Sequence, residues 1–176
     1  MSKYLTIFLL FLSSSIFSQV AVESFCLNQK FENTVNRYLK ESVDLVSVVD
    51  IHEELNDSQN ELIILDAREY EEYEVSHIPG ALYIGYDSLN DTLLQNLDRN
   101  GDIVLYCSIG YRSEKIGEQM KELGFQHVRN LFGSIFEWTN RGFPIEDMNG
   151  EETENLHTYN KSWGKWVEAP NIKKQN

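Results

Sequence analysis

Two short apolar runs constrain the fold of this chain more than any other feature. Residues 61–66 (ELIILD) contain four consecutive apolar residues between polar ends, and residues 103–106 (IVLY) form a second run of the same kind. Unbroken runs of this length are typical of strands that are covered on both faces, as in parallel sheets. Segments of helical pattern alternate with these runs. The sequence therefore predicts an α/β domain with a parallel sheet covered by helices on both faces.

The other elements follow from periodicity and from capping residues. Residues 45–49 form a short, mostly apolar run, and further strands are predicted over residues 81–84 and 127–131. Helices are predicted over residues 23–39, 50–55, 70–75, 89–97, 113–123 and 134–141. Asp50 and Ser134 are the expected N-caps of two helices, and Gly124 is the expected C′ residue of a third. The acidic cluster at 69–74 is expected to form a solvated helix face.

The charge balance argues against one class of partner. The 176 residues include 28 Asp and Glu against 15 Lys and Arg, for a net charge of −13. Because the negative charge is spread along the whole chain, it would repel a phosphate backbone, and no nucleic-acid partner is expected. The two cysteines, Cys26 and Cys107, are too few to form a disulfide framework, so the fold must be stabilised by its hydrophobic core.

The first 18 residues have the layout of a secretory signal. Lys3 precedes an apolar run at residues 4–12, which is followed by serines and by the small residue Ser18. The apolar stretch is shorter than the ~20 residues that span a bilayer, so no stable membrane span is expected after the signal is removed. We expect cleavage near Ser18 and export to the periplasm or the cell exterior.

Cys107 lies where the predicted strand at 103–106 ends and a helix begins. In a parallel α/β sheet this edge gathers functional groups, because chain reversals leave backbone N–H groups pointing at a crevice. Loop amides can surround the sulfur and the helix N-terminus adds partial positive charge, and both favour a thiolate. Cys107 is therefore predicted to be a nucleophile with a lowered pKa. On position alone, a small buried cysteine that merely ends the strand is an equal alternative.

The loop that follows supplies the expected binding groups. They are Ser108, Ile109, Gly110, Tyr111, Arg112 and Ser113. Gly110 provides the backbone freedom that a tight loop requires. Arg112 is the one full positive charge in the loop and would attract an anionic substrate.

Several motifs accompany this loop in a fixed order. They are LDAR at 65–68, SHIPGA at 76–81, C-x-x-G-x-R-S at 107–113, LGF at 123–125, LFG at 131–133, Trp138 and GFP at 142–144. The ordered set resembles the rhodanese-like domain family. The resemblance implies a rhodanese-like domain at 45–146. The residue pattern adds the signal peptide at 1–18 and an N-terminal helical segment at 19–44 before it, and an aromatic C-terminal tail at 147–176 after it.

The resemblance also implies a single-domain sulfurtransferase. Cys107 would accept a sulfane sulfur from a small anionic donor, such as thiosulfate or a persulfide, and pass it from a Cys107 persulfide to a thiol or cyanide-like acceptor. Amides from Ser108 to Ser113 would stabilise the anionic terminal sulfur, and no metal or other cofactor is expected. Asp66 and Arg68 are expected to support the site structurally rather than to react.

Loop length separates this chain from the phosphatases and arsenate reductases that resemble rhodaneses. Those relatives carry five residues between Cys and Arg, whereas four separate Cys107 from Arg112. The smaller loop fits a single sulfur better than a phosphoryl group, so phosphatase activity is not expected. Ile109 and Tyr111 stand where thiosulfate-specialised members often carry basic residues, which leaves a persulfide or polysulfide open as the donor.

Two other functions stay open. The chain could be a non-catalytic rhodanese-like binding module, or a thiol redox protein that uses Cys26 and Cys107. Cys26 is otherwise expected to be a helix residue packed inward. His77 is expected to be a turn residue held by backbone contacts rather than a metal ligand.

The C-terminal tail is too aromatic for a linker. It carries His157, Tyr159, Trp163 and Trp166. We expect it to dock on the domain with its aromatic side chains as anchors on the core. A cover over the mouth of the Cys107 loop is the less favoured alternative.

Overall fold

In a computed structural model of the chain, which describes residues 24–59 and 61–176, five parallel strands form the central sheet. In chain order they are β1 (Asp44–Val46), β2 (Ile63–Asp66), β3 (Leu82–Tyr83), β4 (Asp102–Tyr106) and β5 (His127–Leu131). Their spatial order is β1-β5-β4-β2-β3, so β4 lies at the centre. Every neighbouring pair is parallel, as the unbroken apolar runs predicted.

Helices connect the strands and cover them. Within the described residues they are α1 (Gln29–Tyr38), α2 (Val48–Asn56), α3 (Tyr70–Val75), α4 (Asp91–Asn96), α5 (Tyr111–Glu122), α6 (Ser134–Asn140) and α7 (Lys161–Gly164). The C-terminal tail adds β6 (Asn155–His157) and β7 (Lys173–Gln175), which pair in a second, two-stranded sheet. Each predicted helix is present, although several begin at other residues than predicted.

Each face of the central sheet carries its own apolar core. Along β4, Val104 and Tyr106 belong to one core and Ile103 and Leu105 to the other, as the two-residue period of a strand requires. Helices α1, α2 and α6 cover the first core, and α4 and α5 cover the second. The predicted α/β architecture with helices on both faces is confirmed.

The C-terminal tail packs against the first core. Leu156 and Val167 are fully buried there. The rings of Trp166 and Phe31 of α1 lie with their centroids 5.6 Å apart, and β6 contacts α3. Trp166 is therefore an anchor on the core, as expected from the sequence.

The starts of α1 and α2 differ from the prediction, because Asn28 and Ser47 accept hydrogen bonds from the first backbone amides of these two helices. Ser47 rather than Asp50 caps α2, since its Oγ accepts a hydrogen bond from the Asp50 amide at 3.1 Å. β1 therefore ends at Val46, within the apolar run at 45–49. Asn28 caps α1 by accepting hydrogen bonds from the first amides of that helix, so Cys26 precedes the helix instead of lying within it.

The predicted signal peptide at 1–18 lies outside the described residues. From residue 24 onwards, leaving aside residue 60, no helix is both long and apolar enough to cross a membrane.

Candidate active site

Cys107 directly follows the central strand β4 and lines an open cavity of about 400 Å³. Only 1% of the residue is exposed. The chain turns from β4 into α5 through Gly110, whose φ of 116° lies in the region that favours glycine. Because Gly110 makes this turn and acts as the N-cap, α5 begins at Tyr111 rather than at Ser113 as predicted.

Backbone amides and one cation surround the Cys107 sulfur. The Gly110 amide donates a hydrogen bond to Sγ at 3.1 Å. Burial alone would raise the pKa of the Cys107 thiol, but the charge of Arg112 and the amides of Ser113, Gly110 and Ile109 outweigh burial and lower the pKa. In such surroundings a cysteine reacts as a thiolate.

Ser134 holds the base of this loop. Its hydroxyl accepts a hydrogen bond from the Cys107 amide at 3.1 Å and donates one to the Leu131 carbonyl at 2.9 Å. The sequence predicted Ser134 as the N-cap of α6, which is wrong by one residue. Gly133, with φ of 71°, is the N-cap, because the serine hydroxyl binds the loop instead of the helix amides.

Asn130 of β5 holds the other end of the loop. Its side-chain amide donates a hydrogen bond to the Gly110 carbonyl at 3.0 Å, and its side-chain oxygen accepts one from the Ser113 hydroxyl at 2.7 Å. None of the motifs in the sequence includes this residue. The signal that could have found it is a polar amide inside a predicted buried strand, because such a group needs a specific partner.

Glu72 of α3 neutralises Arg112. The guanidinium donates two hydrogen bonds to the Glu72 carboxylate, at 2.5 and 2.9 Å, and a third to the Ser108 hydroxyl at 3.0 Å. The expected solvated face of the acidic cluster at 69–74 is therefore wrong at Glu72, which is 2% exposed because it turns inward to meet this cation. Burial would raise the pKa of Glu72, but the hydrogen bonds and charge of Arg112 lower it.

Asp66 and Arg68 form a fully buried ion pair at the end of β2. The Arg68 guanidinium donates a hydrogen bond to the Asp66 carboxylate at 2.6 Å and another to the Ser76 carbonyl at 2.6 Å. The Tyr106 hydroxyl donates to the same carboxylate at 2.5 Å. The pair thus ties the end of β2 to the end of β4, immediately before Cys107, a placement that suits structural support.

Cys26 does not line this cavity. Cys26 is buried just before α1. Its Sγ packs closely against Gly133, because a Cβ atom added to that glycine would lie only 3.1 Å from the sulfur. Burial and the carboxylates of Glu137 and Glu32 raise the pKa of the Cys26 thiol. A thiol in these surroundings is a poor nucleophile.

His77 makes local contacts, as expected for a turn residue. Its Nδ1 lies 3.1 Å from the Tyr73 carbonyl oxygen, and its Nε2 lies 3.5 Å from a carboxylate oxygen of Glu146. Across residues 24–59 and 61–176, no group of His, Cys, Asp and Glu side chains is placed to hold a metal ion.

Five aromatic side chains form the walls of the cavity around Cys107. We call them the aromatic collar: Tyr38, Tyr86, Tyr111, Tyr159 and Trp163. The Tyr38 ring meets Tyr111 and Trp163 edge-on, at centroid distances of 6.2 and 5.2 Å. The Arg112 guanidinium lies 5.3 Å from the centroid of the Tyr159 ring. The tail thus supplies Tyr159 and Trp163 to the cavity wall. This placement resembles the less favoured prediction for the tail, a cover over the mouth of the Cys107 loop.

Comparison with known proteins identifies the family of the chain that carries this site. A family model described as the rhodanese-like domain matches residues 47–141, which is more than half of the chain. The chain belongs to the rhodanese-like domain family. In this rhodanese-like protein Cys107 and its loop lie inside the matched segment, whereas Tyr38, Tyr159 and Trp163 of the aromatic collar lie outside it.

Two relatives illustrate the range of proteins that contain a similar segment. The chain is 39% identical over 85 residues to the candidate sulfur carrier protein YrkF of Bacillus subtilis (strain 168), covering 48% of this chain and 45% of the relative. It is 34% identical over 111 residues to the tRNA uridine(34) hydroxylase of Salmonella newport (strain SL254), covering 58% of this chain and 31% of the relative. The rhodanese-like chain therefore spans less than half the length of these two relatives.

Solved structures show the same fold. The solution structure of the rhodanese-like domain of an Anabaena protein superposes with a TM-score of 0.56 and 25% identity, over 62% of this chain and 83% of that one. The crystal structure of a rhodanese-like domain protein from Staphylococcus aureus gives a TM-score of 0.52 and 26% identity, over 59% and 97% of the two chains. The rhodanese-like fold is thus shared at low sequence identity.

Proposed function

We propose that this rhodanese-like protein is a sulfurtransferase that carries a sulfane sulfur on Cys107 as a persulfide. The observation that carries the proposal is the position of Cys107 Sγ, which lines a cavity and accepts a hydrogen bond from the Gly110 amide at 3.1 Å. Membership of the rhodanese-like domain family and the similarity to a candidate sulfur carrier protein support the same class of reaction.

The proposed reaction has two transfers. The Cys107 thiolate attacks the sulfane sulfur of the donor and forms a new S–S bond, while the bond between that sulfur and the rest of the donor breaks and its electron pair leaves with the donor. The terminal sulfur of the resulting persulfide is anionic, and the loop amides are oriented to stabilise it before the reaction begins. An acceptor thiolate or cyanide then attacks the terminal sulfur and regenerates the Cys107 thiolate.

The alternative of a redox protein that uses both cysteines has less support. Cys26 lies outside the cavity and its thiol has a raised pKa, whereas Cys107 has a lowered one. A binding module without catalysis would not need a nucleophile in these surroundings. A binding module does not account for a buried cysteine whose sulfur faces backbone amides at an open cavity.

Intact-mass measurement tests the proposal. After incubation of the full chain with thiosulfate, a persulfide or a thiosulfonate, we expect a mass increase of one sulfur atom that a thiol acceptor removes. Cys107→Ser is expected to gain none, and Cys26→Ser is expected to retain both sulfur uptake and transfer. Absence of added sulfur with every donor would contradict the proposal, and loss of transfer in Cys26→Ser would favour the redox alternative.

We further propose that the protein is exported to the periplasm or the cell exterior. The support is the signal-like layout of residues 1–18. Fractionation of cells that express the full chain, followed by N-terminal sequencing, is expected to recover a protein that begins near residue 19 outside the cytoplasm. A matched chain that lacks residues 2–18 is expected to stay in the cytoplasm, and equal distribution of the two would refute export by this segment.

A further inference from the structure

The charge of the cavity does not favour a small inorganic dianion. Arg112 is the one cationic residue among the described residues that line the cavity, and it is already paired with Glu72. A net charge of −13 also opposes the approach of anions from a distance. The loop amides stabilise the one sulfur that is transferred, so the rest of a dianionic donor would meet mainly aromatic rings.

The size of the cavity points in the same direction. Its volume of about 400 Å³ lies within the range, roughly 300–1,000 Å³, that is typical of sites for organic ligands. Such sites are lined by apolar and aromatic side chains with a few polar groups at one end. Here the polar end is the Cys107 loop, and the apolar part is the aromatic collar.

Several rings of the aromatic collar are exposed to solvent, and together they surround the opening of the Cys107 cavity. The exposed fractions are 45% for Tyr38, 40% for Tyr111 and 54% for Tyr159. Single exposed aromatic residues need no explanation, but a contiguous group around an opening is typical of a binding site. A ligand that covers these rings would remove their apolar surface from water, which is favourable.

Tyr159 gives an independent sign of function through its backbone. Its φ of 63° lies in the left-handed region, which is costly for a residue with a Cβ atom. The neighbouring residues hold this conformation, because the Thr158 amide donates to the Gln175 carbonyl at 2.8 Å and Asn160 caps α7. The tail thus keeps a strained residue where its side chain lines the cavity and approaches Arg112.

We infer that the sulfur donor is an organic sulfane-sulfur compound, R–S–SH, whose apolar or aromatic substituent R binds in the aromatic collar while its outer sulfur reaches Cys107. This inference rests on the proposed function and names the substrate class for the same site. The Cys107 thiolate attacks the outer sulfur, the S–S bond of the donor breaks, and its electron pair leaves as R–S⁻. The proton of the donor passes to R–S⁻, which is more basic than a persulfide, so R–SH departs, the Cys107 persulfide is left anionic, and atoms and charge balance.

Two stable thiosulfonates, R–SO2–S⁻, provide matched probes of the preference for the substituent R. Benzenethiosulfonate and methanethiosulfonate carry the same charge and the same transferable sulfur, and they differ in the carbon substituent. Attack by the Cys107 thiolate forms the persulfide and releases benzenesulfinate or methanesulfinate with the electron pair of the broken S–S bond. The kcat/KM for sulfur transfer to cyanide is measured for each probe and divided by the rate constant of that probe with free cysteine.

The corrected kcat/KM of the full chain is expected to favour benzenethiosulfonate over methanethiosulfonate by about tenfold, the size of effect that burial of one ring against aromatic side chains produces. Tyr159→Ala and Trp163→Ala are each expected to reduce this preference to about threefold or less. Tyr70→Ala removes a tyrosine that is 46% exposed and lies outside the cavity, and it is the matched control that should keep the full preference.

The outcomes separate the inference from the function on which it rests. Equal corrected kcat/KM values for the two probes, or a preference that survives both collar substitutions, would overturn the inference but leave sulfur transfer intact. Failure of every donor to place sulfur on Cys107 would overturn the proposed function itself. Tyr159 is half exposed, so its variant gives a reading even if Trp163→Ala weakens the packing of the tail.

Discussion

Arg112 acts on Cys107 through its charge, which is the main factor that lowers the pKa of the thiol against the effect of burial. We expect Arg112→Gln to raise this pKa, because the variant loses the cation and also leaves the Glu72 carboxylate unpaired nearby. At a pH between the two pKa values the variant should react more slowly, and at a pH above both the rates should converge. The measurement is the rate of Cys107 alkylation by iodoacetamide as a function of pH.

Arg99→Gln is the matched control for this pH profile. Arg99 lies over the ring of Phe125, with its guanidinium 4.1 Å from the centroid, and does not line the Cys107 cavity. Its removal should leave the midpoint of Cys107 alkylation in place. An unchanged midpoint in Arg112→Gln as well would show that the amides alone set the pKa of Cys107.

The strained backbone of Tyr159 gives a stability prediction. With φ of 63°, the position suits glycine better than any residue with a Cβ atom. Tyr159→Gly is therefore expected to have a free energy of unfolding about 1 kcal/mol higher than that of Tyr159→Ala, since both variants lack the ring and only the second keeps the strain. Urea denaturation of the two variants provides the measurement, and equal values would mean that the strain relaxes without cost.

The candidate site residues could be found from the sequence because the loop is local. Cys107, Gly110 and Arg112 lie within six consecutive positions, and their spacing follows directly from the geometry of a strand-to-helix turn. Glu72 could not be found in this way, since 40 positions separate it from Arg112 and it lies among other acidic residues. Only the packing of α3 beside the loop distinguishes Glu72 from its exposed neighbours.

Helix α3 contributes to stability through this one buried carboxylate. Glu72→Gln is expected to lower the free energy of unfolding by about 3 kcal/mol, because it leaves the largely buried Arg112 cation without its partner. The folded-state pKa of Glu72 is lowered, so its contribution is complete above the unfolded-state pKa of about 4.3 and is lost as the pH falls. The difference between the two proteins should therefore shrink below about pH 5.

Glu71→Gln provides the comparison within the same helix. Glu71 belongs to the same acidic cluster but is exposed. Its substitution should change the free energy of unfolding by less than about 0.5 kcal/mol both above and below about pH 5. Similar losses for Glu71→Gln and Glu72→Gln would show that net charge rather than the buried pair governs stability.

The elements differ in how far the sequence determines them. β2 and β4 were predicted well because an unbroken apolar run of that length has few alternatives in a globular chain. The start of α2 was missed because Ser47 and Asp50 are both good caps, and the choice depends on where β1 stops. β3 shrinks to Leu82–Tyr83 because this edge strand has a neighbour on one side only.

For the molecule as a whole, the tail is part of the folded core. Leu156 of β6 is fully buried, and Leu156→Ala is expected to lower the free energy of unfolding by about 3 kcal/mol through lost contacts and a residual cavity. Leu123→Ala, at a position that is 53% exposed, is the control and should change it by less than about 0.5 kcal/mol. Equal effects in urea denaturation would mean that the tail does not stabilise the domain.

The sequence predicted that the tail docks but not how it does so. Its aromatic content indicated burial, and Trp166 meets that expectation against Phe31. The pairing of β6 with β7 joins residues 155–157 to residues 173–175, and neither segment has the apolar alternation that marks a strand. Leu156 of β6 lies in the first core and Ile172, just before β7, packs against that core, which brings the two short strands side by side.

The reactive loop comes from the centre of the sheet, whereas Tyr38, Tyr159 and Trp163 at the entrance come from outside the segment that defines the family. The two flanks of the chain can therefore change the entrance while the Cys107 turn stays the same. A chimera that keeps residues 47–141 and takes both flanks from another member should acquire the donor choice of that member.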